Sequence, residues 1–165
     1  MIWIATQLPT TGKQRNERDI ALLRELTTEA SENLQILNEC RQLLQADLEM
    51  VGKGETITQP LRIVRIGAWD LVRMNPPLKL QRHGQLLLQL QRAAQDSSEI
   101  NETIRSREYY RTFNRAVTNF GSQMKPYDQV LLRKSDDLLR LTVVLKQQLE
   151  ALQPDPPIND FGMGP

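Results

Sequence analysis

The sequence is poor in the side chains that most often carry chemistry. It has one cysteine, Cys40, and one histidine, His83. A single thiol excludes an internal disulfide framework and any site built from several thiolates. With one imidazole the familiar zinc arrangements are out of reach too. Net charge is +1, so no overall field draws the chain to nucleic acid or anionic lipid. No apolar run approaches the roughly 18 residues a membrane span requires. Met1-Ile2-Trp3-Ile4-Ala5 is too short for the apolar core of a signal sequence and lacks a basic start. Gly-rich phosphate loops, H-E-x-x-H and G-x-S-x-G are missing as well. The expectation is a non-enzymatic protein, without metal or cofactor, in a reducing cytoplasmic setting.

What is present is helical patterning. The 165 residues fit one domain, and aromatics are only 5% of a chain rich in Leu and Gln, which suits helices better than sheets. From Asn16 the residues Ile20, Leu23, Thr27, Ala30, Leu34, Leu37, Arg41, Leu44, Leu48 and Val51 step alternately by three and four. That is the spacing of one helix face. Gly52-Lys53-Gly54 closes this helix. A second long segment runs from Leu78, with Pro77 at its start, through Leu80, Leu87, Leu90, Ala94, Ile100, Ile104, Tyr110, Phe113, Val117, Phe120 and Met124. Gly84 and the capping-box spacing of Asp96-Ser97-Ser98-Glu99 leave it as one bent helix or two. Gly121 and Lys125-Pro126 punctuate its end. The last helix runs from Asp128 to about Leu152, with Leu131, Ser135, Leu138, Thr142, Leu145 and Leu149 inward.

Between the first two long helices lies LRIVRIGAWDLVRMNPPL, Leu61–Leu78, which breaks both periods. Asn75-Pro76-Pro77 stops its short helical turn, since proline disfavours the α region for the residue before it. Trp69 has a large apolar surface that needs burial. The segment is therefore expected to act as a structural plug wedged between helices, with Trp69 inside. The predicted fold is all-α: an antiparallel bundle of three long helices and a short connector helix around Trp69. Residues 1–15 read as a flap or linker, 16–152 as the bundle, and 153–165 as a Pro- and Gly-rich tail.

The charges divide by region. Residues 16–51 hold eight acids against three arginines, and residues 53–94 seven bases against two acids. Complementary neighbours are the simplest consequence, with Arg62, Arg65 and Arg73 facing the acidic first helix. The carboxylates of that helix, and Asp136-Asp137, read as solvated faces. Farther on, Arg105, Arg107, Arg111 and Arg115 interleave with Tyr109, Tyr110 and Phe113. Arg107, Arg111 and Arg115 stand four apart and so share a helix face. Such a face can grip a phosphate backbone and stack bases; equally, it is a solvated face whose aromatics point inward. His83 has no second catalytic partner nearby, and Cys40 sits beside the apolar stripe, next to Arg41.

Three pieces of sequence resemble a known pattern: Ser31-Glu32-Asn33-Leu34-Gln35-Ile36-Leu37, Ala68-Trp69-Asp70-Leu71-Val72 and Ile100-Asn101-Glu102-Thr103-Ile104-Arg105. In this order they resemble a diffuse group of uncharacterised bacterial helical units. There an E-x-N-L-x-I-L helix precedes an A-W segment, often behind a membrane-anchoring or coiled-coil helix. This chain departs in having Gly67 where a Ser or Thr cap is more usual, and no complete membrane helix. The resemblance implies a helical fold and no particular reaction. The functional expectation is a helical interaction or scaffold module that binds a protein partner or itself. A nucleic-acid-binding regulator using the Arg105–Arg115 face is the alternative, and membrane association stays open.

Overall fold

The computed structural model describes residues 12–54, 59–114 and 116–153. All regular structure in these residues is helical: α1 (Gly12–Gly52), α2 (Gly67–Met74), α3 (Leu78–Gln81), α4 (Gly84–Phe113) and α5 (Phe120–Leu152). The expected flap and tail fall, apart from residues 12–15 and Gln153, outside the described residues. No helix among them is long and apolar enough to cross a membrane.

At about 1.5 Å per residue, α1 is roughly 60 Å long, α4 about 45 Å and α5 about 50 Å. Helices of this length hold together through continuous apolar stripes, because propensity alone stabilises them little. Leu23, Ala30, Leu37 and Leu44 of α1 are buried, as are Leu131, Leu138, Leu145 and Leu149 of α5. Leu86, Ala93 and Ile100 supply an equivalent seven-residue series on α4. α5 packs against both α1 and α4. Gln153 bonds Thr27 and Arg41 pairs with Asp136, so numbers fall along α5 as they rise along α1. Lys134–Glu99 and Asp128–Arg107 set the same opposed sense between α5 and α4.

The helix boundaries differ from the sequence reading in three places. α1 begins at Gly12, four residues before the Asn16 start read from the sequence. The second segment is split near its start: α3 is a single turn, and α4 begins after Arg82 and His83. α4 then passes unbroken through Asp96-Ser97-Ser98-Glu99. Most telling is the break between α4 and α5, which falls at residues 114–119 rather than at Lys125-Pro126. Asn119 takes the left-handed conformation there, φ 66°, which Asn tolerates better than most residues. Pro126 sits inside α5, at an exposed position in its second turn. It removes the bond to the Ser122 carbonyl without ending the helix.

α1 carries a second buried face that the apolar pattern does not announce. Leu26, Glu29, Asn33, Ile36, Cys40 and Asp47 are all buried. This face receives residues 59–72. Leu61, Val64, Ala68, Trp69 and Val72 join the main core, and Trp69 is 0% exposed. Arg62 reaches Glu39 and Arg65 reaches Glu32 on α1, as the charge division anticipates. Arg73 instead pairs with Asp70 one turn back on α2.

Candidate functional site

Residues 59–66 form no regular secondary structure, yet they lie along α1 and α4. Backbone polar groups so placed must be satisfied from elsewhere. Here side chains of α1 and α4 do it. The two Asn side chains act as paired backbone readers. Asn101 accepts from the Val64 amide and donates to the Val64 carbonyl, both at 2.7 Å. Asn33 does the same for Arg65 at 2.8 Å on each bond. Only Asn or Gln offers a donor and an acceptor side by side in a neutral group that fits this task.

The other contacts continue the pattern along the connector. Cys40 Sγ lies 3.4 Å from the Arg62 carbonyl, to which it donates. Asp47 Oδ2 accepts from the Gln59 amide at 3.1 Å, and Glu108 Oε1 from the Leu61 amide at 3.3 Å. At the far end Glu29 accepts from the Ala68 and Trp69 amides at 2.9 and 3.2 Å. Those amides belong to the first turn of α2, where the donors lack helical partners and the dipole favours a carboxylate. Glu29 therefore caps α2 from another helix.

These partners fall into register. On α1, Asn33, Cys40 and Asp47 are seven apart and hold Arg65, Arg62 and Gln59, which are three apart. On α4, Asn101 and Glu108 are seven apart and hold Val64 and Leu61, again three apart. Seven helical residues rise about 10.5 Å. Three residues in a polyproline-type winding rise about 9.3 Å, and that winding repeats every three residues. Seven helix residues thus match three residues of a chain with that rise to within about 1 Å, and every third connector residue returns to the same helix. Leu61 and Val64, the buried side chains of the stretch, obey the same triplet.

At the Gln59 end stands a buried charge cluster. Arg107, at 0% side-chain exposure, continues the Leu86–Ala93–Ile100 series and replaces an apolar residue in it. Its Nε donates to Asp128 Oδ1 and its Nη2 to Asp47 Oδ2, both at 2.6 Å. Its Nη1 donates to Glu108 Oε1 at 2.8 Å and to the Gln59 carbonyl at 2.9 Å. Arg111 holds the second oxygen of Glu108 at 2.7 Å. Burial pushes the carboxyls of Asp47 and Asp128 above the usual range, against the pull of Arg107. Removing charges from water costs several kcal/mol per ion, and this cluster offsets that with four short bonds to one guanidinium.

The arginines expected to form one surface are separated by this arrangement. Arg107 is inside, which corrects its reading as a surface contact: its helix position faces α1 and α5 rather than solvent. Arg111 is mostly covered and engaged with Glu108. Arg105 is exposed, and Arg115 lies outside the described residues. Glu29 and Asp47 likewise belong to the interior and not to a solvated face. Cys40 is buried and free, and burial raises its thiol; neighbouring Arg41 turns to Asp136 instead. His83 is exposed in the turn before α4.

The three sequence pieces singled out above meet in this clamp: Asn33 from the first, Ala68 and Trp69 from the second, Asn101 from the third. No family model, curated protein or solved structure matches the chain.

On the outside, Tyr109 and Phe113 stand one turn apart with ring centroids 4.6 Å apart, at 65% and 69% exposure. Val117 follows, also exposed. Tyr110, next in sequence, turns the other way and stacks on Phe120 and Tyr127 at 5.9 and 6.1 Å.

Proposed function

We propose that the chain is a non-catalytic interaction module, an antiparallel three-helix bundle stiffened by a clamped connector. It meets a protein partner, a second copy included, through the aromatic ridge at the α4–α5 turn. The observation that carries this reading is the division of labour among its side chains. The buried polar groups of the clamp are committed to the chain's own backbone or to one another. Two aromatic rings in tilted contact, in contrast, stay in water. An exposed pair of rings is apolar surface without a folding role, and aromatic side chains are enriched at interface centres. Arg105 stands one turn before Tyr109, a polar rim for an apolar patch. With Arg107 inside and Arg111 held by Glu108, the ridge offers a partner aromatic surface more than positive charge. The free buried thiol supports a reducing, cytoplasmic setting.

Sedimentation equilibrium tests the self-associating form directly. The chain is expected to show concentration-dependent association that Tyr109→Ser with Phe113→Ser abolishes, with thermal unfolding unchanged. A chain that stays monomeric at the highest attainable concentration removes self-association. If the double variant also leaves the NMR spectrum unperturbed beyond its own turn while lowering the melting temperature, the ridge is a folding element and the reading fails.

A further inference from the structure

The cluster around Arg107 holds more acid than base. From α1 it takes Asp47, from α4 Arg107, Glu108 and Arg111, and from α5 Asp128; the connector contributes backbone groups only, from Gln59 and Leu61. The Cys40 thiol lies within electrostatic reach of Arg107 and is uncharged in its thiol form. Three carboxylates therefore face two guanidiniums. The imbalance is not shared evenly. Glu108 is in contact with both guanidiniums and is partly exposed. Asp47 Oδ2 accepts two bonds, from Gln59 and from Arg107. Asp128 is 0% exposed, uses Oδ1 for Arg107, and leaves Oδ2 buried without a hydrogen-bond partner among the described residues.

A buried anionic oxygen without a donor is among the costliest groups a fold can hold, and a buried hydroxyl costs much less. Protonating Oδ2 leaves the Oδ1 bond to Arg107 in place and balances the cluster at two charges of each sign. We infer that Asp128 is a proton-binding site of the folded chain, and that the proton tightens the Gln59–Leu61 end of the connector. The link to the connector is direct. Arg107 divides its donors between Asp128 on one side and Asp47, Glu108 and the Gln59 carbonyl on the other. Neutralising Asp128 releases guanidinium charge to the groups that hold Gln59 and Leu61.

The direction of the pH effect follows from burial. Desolvation raises the Asp128 carboxyl above its value in an unfolded chain, so the folded state binds the proton more tightly. Stability then rises as pH falls through the window between the folded value and the ordinary carboxylate range, and is lost as pH rises through it. Asp47 is raised for the same reason and adds to the trend.

Carbon-13 NMR of the side-chain carboxyls in the full, uniformly labelled chain tests this. Asp carboxyls should titrate above the ordinary carboxylates, and one of these shifted resonances should be absent from the Asp128→Asn spectrum. Protection of the Gln59 and Leu61 amides against hydrogen exchange, corrected for intrinsic rate, should rise across the same titration in the parent chain and stay flat in Asp128→Asn. If all Asp carboxyls titrate in or below the ordinary range, Asp128 is a permanently charged partner of Arg107 and the inference is overturned. It is equally overturned if Asp128→Asn leaves every shifted resonance in place. Because through-bond assignment identifies the Asp128 carboxyl in the parent chain, a variant that fails to fold does not prevent the decision.

Discussion

Asn101→Leu is the sharpest probe of the clamp. Leu keeps the branched outline of Asn with bulkier methyl ends, so the change opens no cavity; it removes two hydrogen bonds and adds some overpacking. Both are 2.7 Å long and buried, and both end on Val64. Losing them strands one amide and one carbonyl of Val64 where water does not reach. Each stranded group costs about 1–3 kcal/mol, giving about 2–6 kcal/mol for the pair, lessened by whatever the apolar leucine gains on burial. Against the roughly 5–15 kcal/mol that hold a typical domain, the loss is large. Urea denaturation followed by circular dichroism should show a lower midpoint with an unchanged slope, the signature of lost stability rather than a changed denatured state. Asn38→Leu is the matched control: Asn38 is exposed and bonds only the carbonyl one turn back, Leu34. It should move stability by no more than about 0.5 kcal/mol. An Asn101→Leu variant as stable as the control would refute the claim that side chains satisfy the connector backbone.

Two further perturbations address the same interior. Arg107→Leu leaves Asp47 and Asp128 buried without their cation and should cost about 3–5 kcal/mol; adding Asp128→Leu should recover part of the loss in the same denaturation assay, and no recovery would mean that charge imbalance is not the cause. Trp69→Ala should cost roughly 3–5 kcal/mol, as deletions of large buried aromatics do. Trp69→Phe should cost much less, because the indole Nε1 is buried without an acceptor among the described residues and only packing is lost. Thermal unfolding separates the two, and equal losses would point to a role for the indole nitrogen.

The sequence announces what repeats in apolar residues. The Leu131–Leu138–Leu145 and Ser135–Thr142–Leu149 series of α5, and the Leu23–Ala30–Leu37–Leu44 series of α1, read directly as the faces that become buried. Trp69 was legible for the same reason, since a large apolar side chain in a connector has few other places to go. The clamp was not legible, because it is written in polar residues. Asn33, Cys40 and Asp47 repeat by seven as strictly as the leucines beside them, but polar residues at helical spacing ordinarily mark a solvated face. The signal that could have found them is a polar heptad adjoining an apolar one, opposite a connector with apolar residues every third position. Arg107 was misplaced by the same habit, being taken with its basic neighbours instead of with Leu86, Ala93 and Ile100. The α4–α5 break was missed because Gly121 and Pro126, the usual breakers, stand inside α5, while the turn itself rests on Asn119.

The seven-to-three register between helix residues and connector residues constrains how such a chain can change. Inside residues 59–66 most contacts are to backbone, so the identity of an exposed residue such as Ile63 matters little. Length matters a great deal. Deleting one residue there moves every later amide and carbonyl off its partner at once, because a triplet shifted by one presents the wrong face to both helices. Inserting one residue into α1 between Asn33 and Asp47 has the mirror effect, rotating the polar row about 100° away from the connector. The stretch is thus free in spelling and fixed in count, and the two Asn residues serve as the marks against which that count is kept.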